Sequence, residues 1–438
     1  MTERAHDTAP GYIFVAPRGG EAGQGGTMIL DNRGEAVWFH PVNNKKEFAM
    51  NFRAQQYRGR PVLTWHQHVI GGEEGYKILD TSYREIARVQ AGNSRRGDHH
   101  DFLITPQDTA LITIYSSARR DLSPFGGPKD AMVTEGVLQE LDIETGEVLL
   151  EWHSLDHVPV GETYTRLDQK NRPRFDYFHI NSIDVDRDDN LLISARQTSA
   201  VYKIDRKSGE IIWRLNGKKS DFEMGPGTRF AYQHDARRQP DGTITIFDNG
   251  TTVTKGGERP KTVEESRGIM LELDEEKMAA SLVREYTHPE PQFANAGGNV
   301  QVLPDGNVFI GWDPATEDFS EFSKDGELLF SAEFYPRDKS YRAFRFPWSG
   351  SPDDQPAAAA ERTSEDEVEV YVGWNGATEV AAWEVLAGPN PDQLKPVEST
   401  PRDGFETVIT VRTAEPYVSV HAKDDSGEVL GTTKPVEL

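Results

Sequence analysis

The sequence contains no cysteine. Disulfide cross-links, thiolate nucleophiles and cysteine-ligated zinc are therefore excluded. It has no apolar run near the ~20 residues of a membrane span, and residues 1–11 (MTERAHDTAPG) lack the apolar centre of a signal peptide. As written, the chain is expected in the cytoplasm; a trimmed mature form would be secreted. Basic residues are in deficit, with 48 Lys and Arg against 72 Asp and Glu and a formal charge of −24. Nucleic acid and anionic membrane surfaces are poor partners for such a chain, because counterion release needs Lys and Arg. The charge reads as a solubility charge. Almost no long stretch has helical periodicity, and no Gly-rich phosphate loop is present.

What is present suits a turn-rich β protein: 39 Gly, 26 Pro and a core supply of 8 Trp, 14 Tyr and 20 Phe. One unit recurs six times: an apolar residue, Asp or Ser, a turn, then usually Glu. Its copies start at Leu30-Asp31, Leu79-Asp80, Leu141-Asp142, Ile204-Asp205, Leu273-Asp274 and Phe322-Ser323. Each predicts an outer hairpin. Between them lies a second unit, beginning near Met50, His100, Asn181, His234 and Asn299, in four cases followed by a turn such as Pro240-Asp241-Gly242 and a β-rich strand. Two hairpins per unit predict an all-β fold, a six-bladed β-propeller over residues 12–348 after a flexible 1–11. A β-sandwich array is the alternative. The strand around Tyr341–Phe346 is expected to close the ring on Tyr12–Val15, which removes exposed edges. Residues 349–366 read as a linker, and 367–438 as a small C-terminal β-sandwich of immunoglobulin or fibronectin type, serving to pack on the propeller or, alternatively, to bind carbohydrate.

Inner strands of a propeller border its central channel, so the residues heading them converge. His100, His179, Asn181 and His234 stand at inner-strand starts, Arg196 ends the strand after Asn181, and Asn249 holds the matching place after His234. The set contains no close carboxylate pair for glycoside chemistry. Histidine can act as a nucleophile or as a base near neutral pH, and arginine offers a planar fork to a tetrahedral oxyanion. Phosphoryl or sulfuryl transfer fits best; the alternative is that each histidine satisfies strand-end backbone. Strand alternation is expected to turn His99 away from His100. His66 and His68 share a strand face and offer a weak metal pair, with rim positions preferred. No metal and no cofactor are expected.

Taken together, Asp98-His99-His100-Asp101-Phe102, Phe178-His179-Ile180-Asn181-Ser182, Gln233-His234-Asp235-Ala236-Arg237, Phe247-Asp248-Asn249, Gly298-Asn299-Val300-Gln301-Val302-Leu303-Pro304, Ser340-Tyr341-Arg342-Ala343-Phe344-Arg345 and Trp374-Asn375-Gly376-Ala377-Thr378 resemble the arylsulfotransferase family, in particular its actinobacterial and fungal branch. The resemblance implies a propeller enzyme that moves a sulfuryl group from a phenolic sulfate to a phenol through a sulfohistidine, without a nucleotide donor. It implies His234 as nucleophile, His100 as acid and base, Arg196 on the sulfate oxygens, and His179 and Asn181 as substrate-binding residues; Asn249 and Asn299, from their inner-strand positions, are read as substrate-binding as well. A backbone carbonyl is expected to orient His234. Partners would be small phenolic sulfates and phenols; the oligomeric state stays open. Two other readings remain: a calcium-dependent propeller hydrolase or lactonase, and a non-catalytic ligand-binding or scaffold propeller.

Overall fold

The computed structural model describes residues 6–18, 23–43, 45–72, 74–167, 174–251, 260, 262–313, 315–334 and 338–438. Among them the chain is nearly all β. The α-helix there is a single turn, Ser154–His157, and no helix is long and apolar enough to cross a membrane.

Residues 12–346 form six sheets, each built on four antiparallel strands taken from the inside outward. The second sheet sets the pattern: Glu47–Tyr57, Arg60–Val69, Gly75–Leu79 and Glu85–Val89. The third to sixth sheets start at Phe102–Ile104, Ile180–Val185, His234–Arg238 and Asn299–Val302. The first sheet takes its inner strand, Phe344–Phe346, from the far end of the region and pairs it with Tyr12–Val15, in the register Tyr12 to Phe346 and Phe14 to Phe344.

The repeated Asp has a local cause. Its carboxylate accepts the backbone N–H groups of the turn that joins the two outer strands, an arrangement that pre-forms the bend. Asp31 takes Arg33 N (2.8 Å) and Glu35 N (2.9 Å), and Asp142 takes Glu144 N (3.0 Å) and Thr145 N (2.7 Å). Ser323 does the same for Asp325 N and Glu327 N in the sixth sheet.

The sixth and first sheets are joined by side-chain amides. Asn299 donates to Ala343 O (2.8 Å) and accepts from Ala343 N (3.0 Å); Gln301, two residues on and on the same face, does likewise with Arg345 O and Arg345 N, both at 2.8 Å. At the centre, Asp101 is fully buried and gathers three guanidinium groups: Arg53 (3.2 Å), Arg237 (2.7 Å) and Arg342 (3.0 Å). It also accepts Ile183 N at 2.9 Å. Asp235 pairs with Arg237 (2.8 Å) and Arg342 (3.5 Å) and accepts Val300 N (3.3 Å). These groups come from the inner edges of all six sheets.

Two expectations change. Of the N-terminal stretch expected to be flexible, residues 1–5 lie outside the described residues, but 6–11 are fixed. Ala9 is buried and its N–H reaches Glu321 (2.6 Å), while His6 N reaches Leu329 O (3.2 Å). The stretch 349–366 is not a plain linker. Ala357–Arg362 is a strand paired with Glu367–Gly373, because Ala358 and Ala360 pack on the same apolar cluster as Val368, Val370 and Val372. Two antiparallel sheets, three and five strands, share that cluster. The Trp374–Thr378 segment docks them: Asn375 exchanges two 2.9 Å bonds with the Phe39 backbone, Gly376 N donates to Val37 O, and the Tyr83 hydroxyl donates to Gly376 O at 2.7 Å. A Cβ on Gly376 would meet the Tyr83 and Trp38 rings, and its φ is +91°.

Removing the charge at Asp101 leaves three arginines under-compensated, two of them, Arg53 and Arg342, buried. Asp101→Asn is expected to cost about 3–5 kcal/mol of unfolding free energy in urea titration at neutral pH. Burial alone would raise the Asp101 carboxyl, but the three arginines outweigh it and hold it below its ordinary 3.8. Its contribution is therefore complete above that value and is lost as pH falls below it. The gap between wild type and variant should narrow only below about pH 4; a gap constant down to pH 2.5 would refute the account.

Candidate active site

Three inner strands start with a local irregularity. Register shifts fall between Met50 and Arg53, between Ile180 and Ser182, and between His234 and Arg237. Non-glycine residues with positive φ cluster there: Asn51 (58°), His179 (60°), Tyr232 (53°) and Asp235 (54°). A bulge re-aims successive side chains. Asn51 and Asp235 join the central charge knot, while His179 and His234 join a cluster of rings.

Tyr341 stands among those rings, with His100 and His99 each at 5.6 Å and His234 at 6.2 Å between centroids, all roughly perpendicular to it. His100 lies 5.0 Å from His179 and stacks on Tyr115 at 5.0 Å. The Tyr341 hydroxyl is buried and has no hydrogen-bond partner among the described residues. Arg196 packs over the Tyr232 ring (5.1 Å) and donates to Asn295 O (2.9 Å) and Gln197 Oε1 (3.3 Å). Its charge acts on both His234 and His179.

The histidines differ in electrostatic state. His234 is fully buried and receives the Gly297 N–H at Nε2 (3.2 Å). Nε2 is therefore unprotonated, and the proton on Nδ1 is donated to Asn249 Oδ1 (2.7 Å). Burial first, and the Arg196 charge second, push this imidazole well below its ordinary range. His179 is paired through Nδ1 with Asp176 (2.5 Å). Burial lowers it too, against the pull of Asp176. His100 Nδ1 contacts Asp98, and its Nε2 faces the Tyr115 hydroxyl at 3.5 Å. Burial would raise Asp98, but the His100 and His99 imidazoles hold it well below the carboxylate range.

The structure thus gathers His100, His179, His234 and Arg196. Two of the three asparagines, Asn249 and Asn299, make other contacts. Asn249 donates to Ala294 O (3.1 Å) and Gly297 O (3.2 Å) and accepts from His234, so its whole amide is spent on orienting the imidazole and its loop. The group orienting His234 is this side chain, not a backbone carbonyl. Asn181 donates to Gln233 O (2.7 Å), and its Oδ1 is buried and unpartnered. Asn299 closes the sheet ring, as described above, rather than facing substrate.

His99 also departs from expectation. Residues 99 and 100 form a turn and the strand begins only at Phe102, so strand alternation does not apply. The two rings stack at 4.2 Å. His66 is buried, not at a rim, and His68 pairs with Glu74 at 2.7 Å. Asp98, Asp176, Tyr115, Tyr341 and Gly297 were not singled out from sequence. The spacings Asp98-x-His100 and Asp176-x-x-His179 carried the signal for two of them, since a local carboxylate is the simplest partner for an imidazole.

Comparison with known proteins adds the following. The family profile described as Arylsulfotransferase (ASST) matches residues 53–335. No curated protein matches the chain. Among solved structures, a protein of unknown function from Bacteroides caccae is 14% identical, with 76% of this chain and 98% of that chain covered and a TM-score of 0.45. A catalytically inactive virginiamycin B lyase from Staphylococcus aureus, solved with quinupristin, is 9% identical over 85% and 95% of the two chains, with a TM-score of 0.35. A streptogramin B lyase is 10% identical over 76% and 87%, also at 0.35.

The hydrogen-bond pattern fixes a measurable tautomer. In imidazole 15N NMR at pH 6, below the ordinary histidine value of 6.5, His234 is expected to remain neutral with its proton on Nδ1. Titration of His234 near 6.5 would refute the electrostatic account.

Proposed function

The chain belongs to the arylsulfotransferase (ASST) family, and from that premise we propose that it transfers a sulfuryl group from a phenolic sulfate ester to a phenolic acceptor through a sulfated His234, with no nucleotide sulfate donor. We read the six sheets as six blades of a propeller over residues 12–348, with the ring cluster at its channel and a small fibronectin-like sandwich after it.

The observation that carries this reading is the state of His234. A neutral imidazole with its proton held on Nδ1 by Asn249 has its nucleophilic lone pair on Nε2. At rest the Gly297 N–H covers that lone pair. On substrate binding the N–H is released and is available to a sulfuryl oxygen. Arg196, beside His234, meets the oxygens as a fork, and the idle Tyr341 hydroxyl supplies a further donor.

In the first half-reaction Nε2 attacks sulfur and the sulfur–oxygen bond to the leaving phenolate breaks. The phenolate takes a proton from His100, whose Nδ1 contacts Asp98. In the second half-reaction His100 removes the acceptor phenol's proton, the phenolate oxygen attacks sulfur, and the nitrogen–sulfur bond breaks. His179, held by Asp176, shapes the wall opposite His100.

Incubation with p-nitrophenyl sulfate and no acceptor should give a burst of one p-nitrophenol per chain. It should also leave about 80 Da, the mass of SO3, on the His234 peptide after an alkaline quench. His234→Asn should abolish both; a label found on the His179 peptide instead, or full turnover in His234→Asn, would overturn the assignment. Tyr341→Phe should lower kcat by roughly 10²-fold with little change in KM. An unchanged kcat would remove Tyr341 from the mechanism.

A further inference from the structure

Sulfuryl transfer leaves two imidazoles without a task, the half-buried His99 and the buried His66. His99 lies in the turn Asp98-His99-His100, where one ligating atom from each residue lies within 4.8 Å of those of the other two. His99 Nδ1 is 3.5 Å from Asp98 Oδ2, and His100 Nδ1 contacts Asp98 Oδ1. Both imidazoles therefore present the same nitrogen to one carboxylate. The second observation is independent of the turn. His66, on the strand Arg60–Val69 of the second sheet, is 2% exposed, and neither of its ring nitrogens has a hydrogen-bond partner among the described residues. Its ring lies 6.4 Å from that of His99, and Asp98 and His100 are among the charged groups acting on it. Buried polar atoms are seldom left idle, because the bonds they lose to water are not replaced.

We propose that Asp98, His99 and His100 bind a divalent transition ion of the zinc class, with His66 as the fourth donor. Three imidazole nitrogens and one carboxylate oxygen suit a four-coordinate borderline ion. Calcium and magnesium prefer six or more oxygens. The site differs from the His66–His68 pair suggested by sequence, since His68 is held by Glu74 and stacks on Phe48 at 4.3 Å. It also departs from the expectation that no metal binds. When occupied, the ion takes the Asp98 carboxylate and His100 Nδ1 from each other, so metal binding and acid–base work by His100 compete.

The test is made on binding, so its outcome is separable from that of the transfer reading. The full chain, stripped with a chelator and dialysed, is titrated with zinc chloride by calorimetry and, separately, with cobalt(II) followed by visible absorption. One ion per chain and an intense tetrahedral cobalt band are expected. His66→Ala and His99→Ala should each weaken zinc by at least about tenfold, and His68→Ala should not; circular dichroism confirms that each variant is folded. Should His66→Ala unfold, the milder His66→Asn serves in its place. Failure to bind stoichiometrically, a weak octahedral cobalt spectrum, or unchanged affinity in both the His66 and His99 variants would overturn the proposal.

Discussion

Five charges, four of them buried and Arg237 partly so, hold the centre of this protein: Asp101 and Asp235 against Arg53, Arg237 and Arg342. Desolvation lowers even Arg53 to about 10 against the raising pull of Asp101, so it is charged at neutral pH. Buried ion pairs contribute less to stability than their Coulomb attraction suggests, because each ion has left water. What they impose here is position. Each sheet offers its inner edge to the knot, and a strand slipped by one residue would bury an unmatched charge. With the inner strands fixed in this way, the residues that head them meet at one place.

That meeting point shows how environment divides one residue type into several roles. His100 and His179 each contact a carboxylate, whereas His234 contacts an amide and a backbone N–H and lies near a cation. Burial lowers His179 even against the pull of Asp176, and it lowers His234 with the Arg196 charge acting in the same direction. The loop Ala294–Gly297 links these settings. Its carbonyls hold Asn249 and Arg196, and its Gly297 N–H rests on His234. Gly297 (φ +59°) and Gly298 (φ +90°) let that loop turn tightly, and a Cβ on Gly298 would strike the Phe247 ring.

Much of this was legible in the sequence because it follows from short-range rules. Alternation located the strands, and the Asp repeat located the outer turns because the carboxylate caps its own turn. The ring-closing pair was found because Tyr12–Val15 had no inner strand before it. The asparagine roles were not legible. Asn249 and Asn299 serve groups 45 or 44 residues away in the chain, and nothing local distinguishes an amide that binds substrate from one that mimics a strand. His99 was misplaced because a strand was read one turn too early. The strand Ala357–Arg362 was missed because four alanines in a row show no alternation until Val368, Val370 and Val372 lie opposite them.

The closing strand also has a consequence for biosynthesis. Tyr341 and Arg342 immediately precede it, so the central hydroxyl of the ring cluster and one guanidinium of the knot leave the ribosome after all the other inner edges. Until then the nascent chain carries Asp101 and Asp235 without their full complement of arginines, and Tyr12–Val15 without its partner. Pairings between such distant segments form slowly. The polypeptide must therefore keep several half-made sheets soluble while it waits, a task for which a charge of −24 is well suited. A chain released before residue 344 would leave the Tyr12–Val15 edge without its partner strand.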